Sequence, residues 1–327
     1  MRRRLSRPQP VWLGTPVALA VVGFGLGMHH FGRSQAAVEL ADDAVLEALM
    51  DASPPSHALG QVQSARASQR TTTEPGFPRR LALAEPEAAA PLALEIRVAL
   101  LGAGSGSLLS ATGPWQLRNA AGQVMQQGQA GEPVNSGLAL QAGEAWLITT
   151  RQAALSVDGR LYAGRLRLIP SAAGLQLVNH LNLETYIAAV VGSEMPSSWP
   201  MEALRAQAVA ARSYALAHMA RPANRNWHLG DTTRWQAYRG LERVNRRTQE
   251  AANGTAGLIL SYQGGIVESL YAANWQISLE AHGQLGASMS QQGARSLAEE
   301  GHRYNAILGR YYPGASLARL RAGAGAS

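Results

Sequence analysis

At Asn182 the rhythm of the sequence changes. Before it, short runs alternate apolar and polar residues: Leu92 to Leu101, Trp115 to Arg118, Leu138 to Leu140, Ala145 to Thr149, Leu161 to Ile169 after an Asp158-Gly159 turn, and a last run through Val178. After it, apolar residues recur at helical spacing over Leu183 to Val191 and from Pro200 to about Ala220. Period two with glycine turns predicts a small antiparallel barrel or sandwich, and the longer period predicts helices. Strands followed by helices make an α+β domain, a β-rich part packed beside a helical part, over residues 91–317. The 34 glycines and 16 prolines disfavour a helical bundle or coiled coil.

The chain ahead of that domain reads differently. Arg2, Arg3, Arg4 and Arg7 precede an uncharged apolar run from Val11 to Met28. At about 1.5 Å per residue, such a run nearly crosses a bilayer. The cationic tip marks the cytoplasmic end, so residues 1–37 are expected to be a signal anchor, contacting the membrane, or a signal peptide cleaved near Ser34 to Ala37. The rest would then lie outside the cytoplasmic membrane, anchored to its outer face or released. Residues 38–90, rich in Ala, Ser, Thr, Gln and Pro, are expected to form a flexible linker, and 318–327 a disordered tail.

Composition removes several chemistries. The chain has no cysteine, so thiol catalysis, disulfide scaffolds and zinc ribbons are excluded. All 29 basic residues counted as Lys or Arg are Arg, which excludes lysine Schiff bases and Walker-type phosphate loops. The formal charge of +7 includes four N-terminal arginines. The remainder is too small and too scattered for a nucleic-acid partner, and Arg243, Arg246 and Arg247 read as a solvated helix face.

Chemistry concentrates between the two helical runs. Asn182 suits the N-cap of the first and Gly192 its end, which leaves Glu194 in a short connection before a second helix beginning near Pro200. Val190, Val191, Met195, Pro196 and Trp199 surround Glu194 in sequence; such neighbours disfavour a charged carboxyl and raise its pKa towards general-acid range. The alternative is a surface glutamate in a turn. The second helix shows a small apolar face of Leu204, Ala208, Ala211, Ala215 and Met219, with Arg212 at its edge needing an anionic partner.

The run Tyr186 to Met219, with Glu194-Met195-Pro196, Trp199-Pro200, Glu202-Ala203-Leu204, Ala206-Gln207-Ala208 and Ala210-Ala211-Arg212-Ser213-Tyr214, resembles the SpoIID/LytB domain family. The resemblance continues through His228, Asp231-Thr232, Gln236 to Gly240, Gly254 to Gly257, Tyr262 and Leu270-Tyr271, and returns at Met289-Ser290-Gln291, Gly293-Ala294 and Tyr311 to Gly314. It implies work on peptidoglycan glycan strands: lytic transglycosylation with Glu194 as the catalytic acid, or stimulation of a cell-wall amidase by a catalytically silent glycan-binding module. Arg212, Ser213, Tyr214, His228, Gln236, Tyr238, Ser290 and Gln291 are the residues it implies for substrate binding or orientation. No cofactor is expected.

The chain departs from the family pattern in three places. Only about a dozen residues separate Asn274 from Gly286, Leu285 stands where the family has His, with His282 nearby as a substitute, and Gly230 and Trp235 replace cysteines, so no metal is expected beside His228 and Asp231. Enzyme and binding module are to be separated by whether a second polar group lies within reach of Glu194.

Overall fold

Asn182 joins the two halves. The computed structural model describes residues 82–90, 92–273 and 288–321. The expected N-terminal membrane helix, most of the linker, the segment with His282 and Leu285, and the last six residues lie outside the described residues. Among those described, no helix is long and apolar enough to cross a membrane.

The fold is α+β. Seven strands form one sheet in the order β10-β1-β9-β8-β5-β3-β4: β10 is Leu229–Gly230, β1 Glu95–Leu100, β9 Gly174–Asn182, β8 Arg165–Ser171, β5 Ala145–Thr149, β3 Trp115–Asn119 and β4 Val124–Gly128. All neighbours are antiparallel except β1 and β10. Ile96, Val98, Leu117, Leu147, Leu166, Leu168 and Leu177 are fully buried, so the alternation does mark one core-facing side. The sheet is open, with β4 and β10 at its edges, so it is not the barrel that the alternation allows. A second, three-stranded sheet joins β2 (Leu109–Ala111), β6 (Leu155–Val157) and β7 (Arg160–Tyr162). Asp158 (φ 51°) and Gly159 (φ 80°) make the tight hairpin turn between β6 and β7.

One expected strand is a helix. Leu138 to Leu140 fall within α1, Gly137–Ala142, which ends at Gly143 with φ 81°. Three alternating residues fit either period, and the left-handed glycine favours the helix.

The Asn182 side chain accepts from the backbone N–H of Glu184 at 2.9 Å and of Thr185 at 3.4 Å, capping α2, Leu183–Glu194. The expected stop at Gly192 does not occur. The helix runs to Glu194, and Gly192 serves instead to let the Arg243 carbonyl approach, a space that a Cβ would enter. Pro200 caps α3, Met201–Ala220. One buried face is expected of this helix, but nearly all of it from Ala203 to Ala217 is buried. It is the hub of the helical half, contacting α2, α4 (Arg246–Gly254), α5 (Gln291–Glu299), α6 (Tyr304–Tyr311) and β11 (Leu258–Tyr262). Its alanines make that possible, because small side chains let several elements pack closely at once.

The remaining strands brace these helices. Strand β11 pairs with β12 (Gly265–Ile266) and β15 (Ser316–Arg319), and β13 (Leu270–Ala272) runs parallel to β14 (Ser288–Ser290). The end of the linker also contributes: the Leu83 N–H donates to the Asn305 carbonyl, and Arg303 meets Glu85 at 2.9 Å.

Candidate active site

Glu194 is the last residue of α2, and the connection from it to α3 is held firmly. The Met195 N–H donates to the Val191 carbonyl, closing the final turn. Arg247, in the first turn of α4, donates from Nε to the Ser197 carbonyl (2.7 Å) and from Nη2 to the Trp199 carbonyl (2.8 Å). The Arg295 guanidinium lies over the Trp199 ring, 5.4 Å from its centroid. Arg247, expected on a solvated basic face, therefore anchors the connection behind Glu194. No residue pattern signals this role, since both acceptors are backbone oxygens.

The Glu194 carboxyl has two neutral donors. Oε1 accepts from the Ala237 N–H at 2.8 Å, and the Gln291 amide faces Oε2 at 3.4 Å. Among the described residues no cation pairs with it. Burial raises its pKa, more than those two hydrogen bonds lower it. Its place at a helix C-terminus, the negative end of the dipole, acts in the same direction. The apolar surroundings expected from the sequence are present: Met195 is buried and Trp199 packs against the core.

Gln236 and Gln291 reach this site, and two tyrosines come with them. Gln236 is fully buried; its Oε1 accepts from Tyr186 Oη (2.9 Å), and its Nε2 donates to the Ala211 carbonyl (3.0 Å) and to Tyr271 Oη (2.9 Å). Burial pushes both phenols well up, and the Glu194 charge adds to this in each. Tyr186 and Tyr271 are not among the expected site residues, although both belong to the resembling motifs. Gln291 is delivered by Ser290, whose side chain accepts from the Gly293 N–H and caps α5. Register does the rest, since Ser290 pairs with Ala272 and Met289 with Tyr271.

Other expected site residues face elsewhere. Arg212 is fully buried, and Glu184 takes its Nε at 2.9 Å and its Nη2 at 2.6 Å. The carbonyls of Ala208, Leu258 and Ala252 accept from the remaining donors, so all five N–H groups are used. Ser213 Oγ donates to Val209 O and accepts from the Leu260 N–H, tying α3 to β11. Tyr214 packs on the His218 ring. Tyr238 donates to Asn179 Oδ1 at 2.6 Å and packs between Tyr162 and Tyr186. His228 lies against Arg97, whose backbone and side-chain N–H groups face its two ring nitrogens, of which a neutral imidazole accepts from one. Burial first, then the Arg97 charge, push its pKa down to about 3. Asp231 accepts from the Leu101 N–H. No group of three or more His, Asp or Glu that could hold a metal occurs among the described residues.

Residues 171–262, which carry Glu194, Gln236 and Ala237, match the family model described as Stage II sporulation protein, SpoIID. Over this segment the chain is similar to the SpoIID family. It is 37% identical over 128 residues to an uncharacterized protein of Brachyspira hyodysenteriae, covering 39% of this chain and 35% of that one. It is 33% identical over 122 residues to the amidase enhancer of Bacillus subtilis, covering 37% and 16%. With stage II sporulation protein D of Bacillus amyloliquefaciens it shares 30% identity over 109 residues, covering 29% and 32%. The chain thus spans about a third or less of the length of each of these relatives, and the family-model match is confined to residues 171–262. Within this chain it includes Glu194 and Gln236 and stops short of Tyr271 and Gln291.

Proposed function

We propose that this chain cleaves peptidoglycan glycan strands as a lytic transglycosylase, outside the cytoplasmic membrane, where residues 11–28 would place it. One observation carries the reading: Glu194 is a half-buried carboxyl with a raised pKa, no paired cation among the described residues, and neutral donors on both oxygens. Such a group stays protonated at higher pH than an ordinary carboxylate and can give its proton away.

The chemistry needs one carboxyl. Glu194 protonates the glycosidic oxygen as the C1–O bond breaks, and the sugar leaves as an alcohol. The muramic-acid C6 hydroxyl then bonds to C1, and its proton returns to the Glu194 carboxylate. No water is consumed, the 1,6-anhydro ring closes, and the acid is regenerated. The Ala237 N–H holds Oε1 in place through both steps. Gln291 steadies the transient carboxylate, and Gln236 fixes Tyr271 beside it.

A second reading rests on the relative named amidase enhancer: a glycan-binding module that stimulates a cell-wall amidase without cutting glycan itself. The experiment is to incubate the full-length chain with denuded and intact glycan strands and resolve the products by mass. Anhydro-ended products from wild type, reduced by about two to four orders of magnitude in Glu194→Gln, support cleavage. Glycan binding with no anhydro product, together with faster stem-peptide release when an amidase is added, supports the second reading and ends the first.

A further inference from the structure

The β-rich half carries a concave surface of its own, at the ends of β3, β4 and β5. There a groove of about 580 Å³ is lined by Pro114, Trp115, Gln116, Gln127, Gly128, Gln129, Glu132 and Ile148 to Thr150. Its size falls in the usual range for small-ligand sites. The pairing register puts Gln127 of β4, Gln116 of β3 and Ile148 of β5 in one row across the strands. That row is an amide, an amide and an aliphatic patch. Gln116 has a fixed orientation, because its Oε1 accepts from Arg118 at 2.6 Å and 3.0 Å, which leaves its Nε2 as a donor. Gln127, the Gln129 amide and the Thr150 hydroxyl make no side-chain hydrogen bond among the described residues. Gly128 keeps the space open, since a Cβ there would meet the Trp115 ring and the Glu132 carboxylate.

We infer that this groove binds a neutral, N-acetylated sugar segment of the glycan strand. Amides and hydroxyls match sugar hydroxyls and acetamido groups in both donor and acceptor sense, and Ile148 offers an apolar surface for the C–H face of a pyranose. No Arg or His lines the groove, which argues against the carboxylates of a stem peptide. The inference rests on the glycan-strand reading above and adds a remote grip that holds the strand while Glu194 works elsewhere on it.

The test uses calorimetric titration with a soluble β-1,4-linked N-acetylglucosamine tetramer. It compares the full-length Glu194→Gln chain, in which no turnover intrudes, with the same chain carrying Gln127→Ala and Thr150→Ala. Both added substitutions are at exposed positions, so an unchanged melting midpoint is expected and serves as the folding control. The expected result is an affinity at least about tenfold weaker, or one binding event lost, as removing two hydrogen-bonding groups should give. A heat curve indifferent to the two changes, no binding in either chain, or loss only of binding to an extended peptide along the β4 edge would each overturn the inference. Groove-dependent binding with no anhydro product from wild type would sink the transglycosylase reading and leave the groove standing. Anhydro product with groove-independent binding would do the reverse.

Discussion

Helix α2 carries a glutamate at each end, and the two have opposite fates. Glu184, in the first turn, sits at the positive end of the helix dipole, takes both forks of Arg212 and also accepts from the Gly257 N–H at 3.1 Å. Glu194, in the last turn, sits at the negative end with two neutral donors. Ten residues of one helix separate a carboxylate whose charge the fold neutralises from one whose charge it penalises. The difference marks which is structural and which is available for chemistry, and it can be broken at either end.

The largest effect is expected at the Glu184 end. Replacing Arg212 with Met leaves Glu184 without its cation and three carbonyls without donors, so the domain should lose about 3–5 kcal/mol, measured by denaturant midpoint. A loss under about 1 kcal/mol would mean that Arg212 is not part of the frame and would make it a substrate-orienting group again.

The next effect concerns α3, which carries Arg212. Because this helix is surrounded, Ala208→Leu has nowhere to expand and should cost about 1–3 kcal/mol through overpacking. It should leave the titration of Glu194 unchanged, since the crowding falls beside Arg212, whose Nη1 donates to the Ala208 carbonyl. A shift in the pH profile of activity would show that the two ends of α2 are coupled.

These contrasts show how far the fold and the site are legible in the sequence. Features set by a few neighbouring residues are visible there: the Asn182 cap, the start of α3 at Pro200, the Asp158-Gly159 turn and the apolar setting of Glu194. Features that depend on chain brought in from afar are not. Gly192 looks like a helix stop because the Arg243 carbonyl that needs its space comes from another loop. Arg212 looks like an edge residue because no periodicity reveals that α4 and β11 close over it. At the site, Glu194 and its pKa direction are legible, but the groups that hold it lie 43 and 97 residues away.

The third effect is on the proposed glycan cleavage more than on stability. Arg247→Ala removes both ties to the connection behind Glu194, yet Arg247 is exposed, so the stability loss should stay near about 0.5–1 kcal/mol. Glycan cleavage should fall about tenfold or more in kcat with KM little changed, as expected when the acid moves and the binding surface does not. Partial rescue by Arg247→Lys, which keeps a donor near those carbonyls, would separate positioning from a loss of folded protein.

The smallest effect is the one that tests the Glu194 end directly. A carboxyl whose pKa is raised on folding prefers to be protonated in the native state, so its favourable contribution is fully present below its ordinary value of 4.5 and is lost as pH rises through the native value. Glu194→Gln keeps the shape and keeps an oxygen for the Ala237 N–H, but cannot ionise. Below pH 4.5 the variant and wild type should melt within about 0.5 kcal/mol of each other, because two neutral groups are being compared. As pH rises, wild type alone must ionise a half-buried group at a helix C-terminus, and the difference should open in favour of the glutamine. Glu184→Gln should instead cost stability, by about 3–5 kcal/mol, because it leaves the fully buried Arg212 without its charged partner. If the advantage of Glu194→Gln does not open as pH rises, the fold does not penalise the Glu194 charge and Glu194 loses its claim to be the acid.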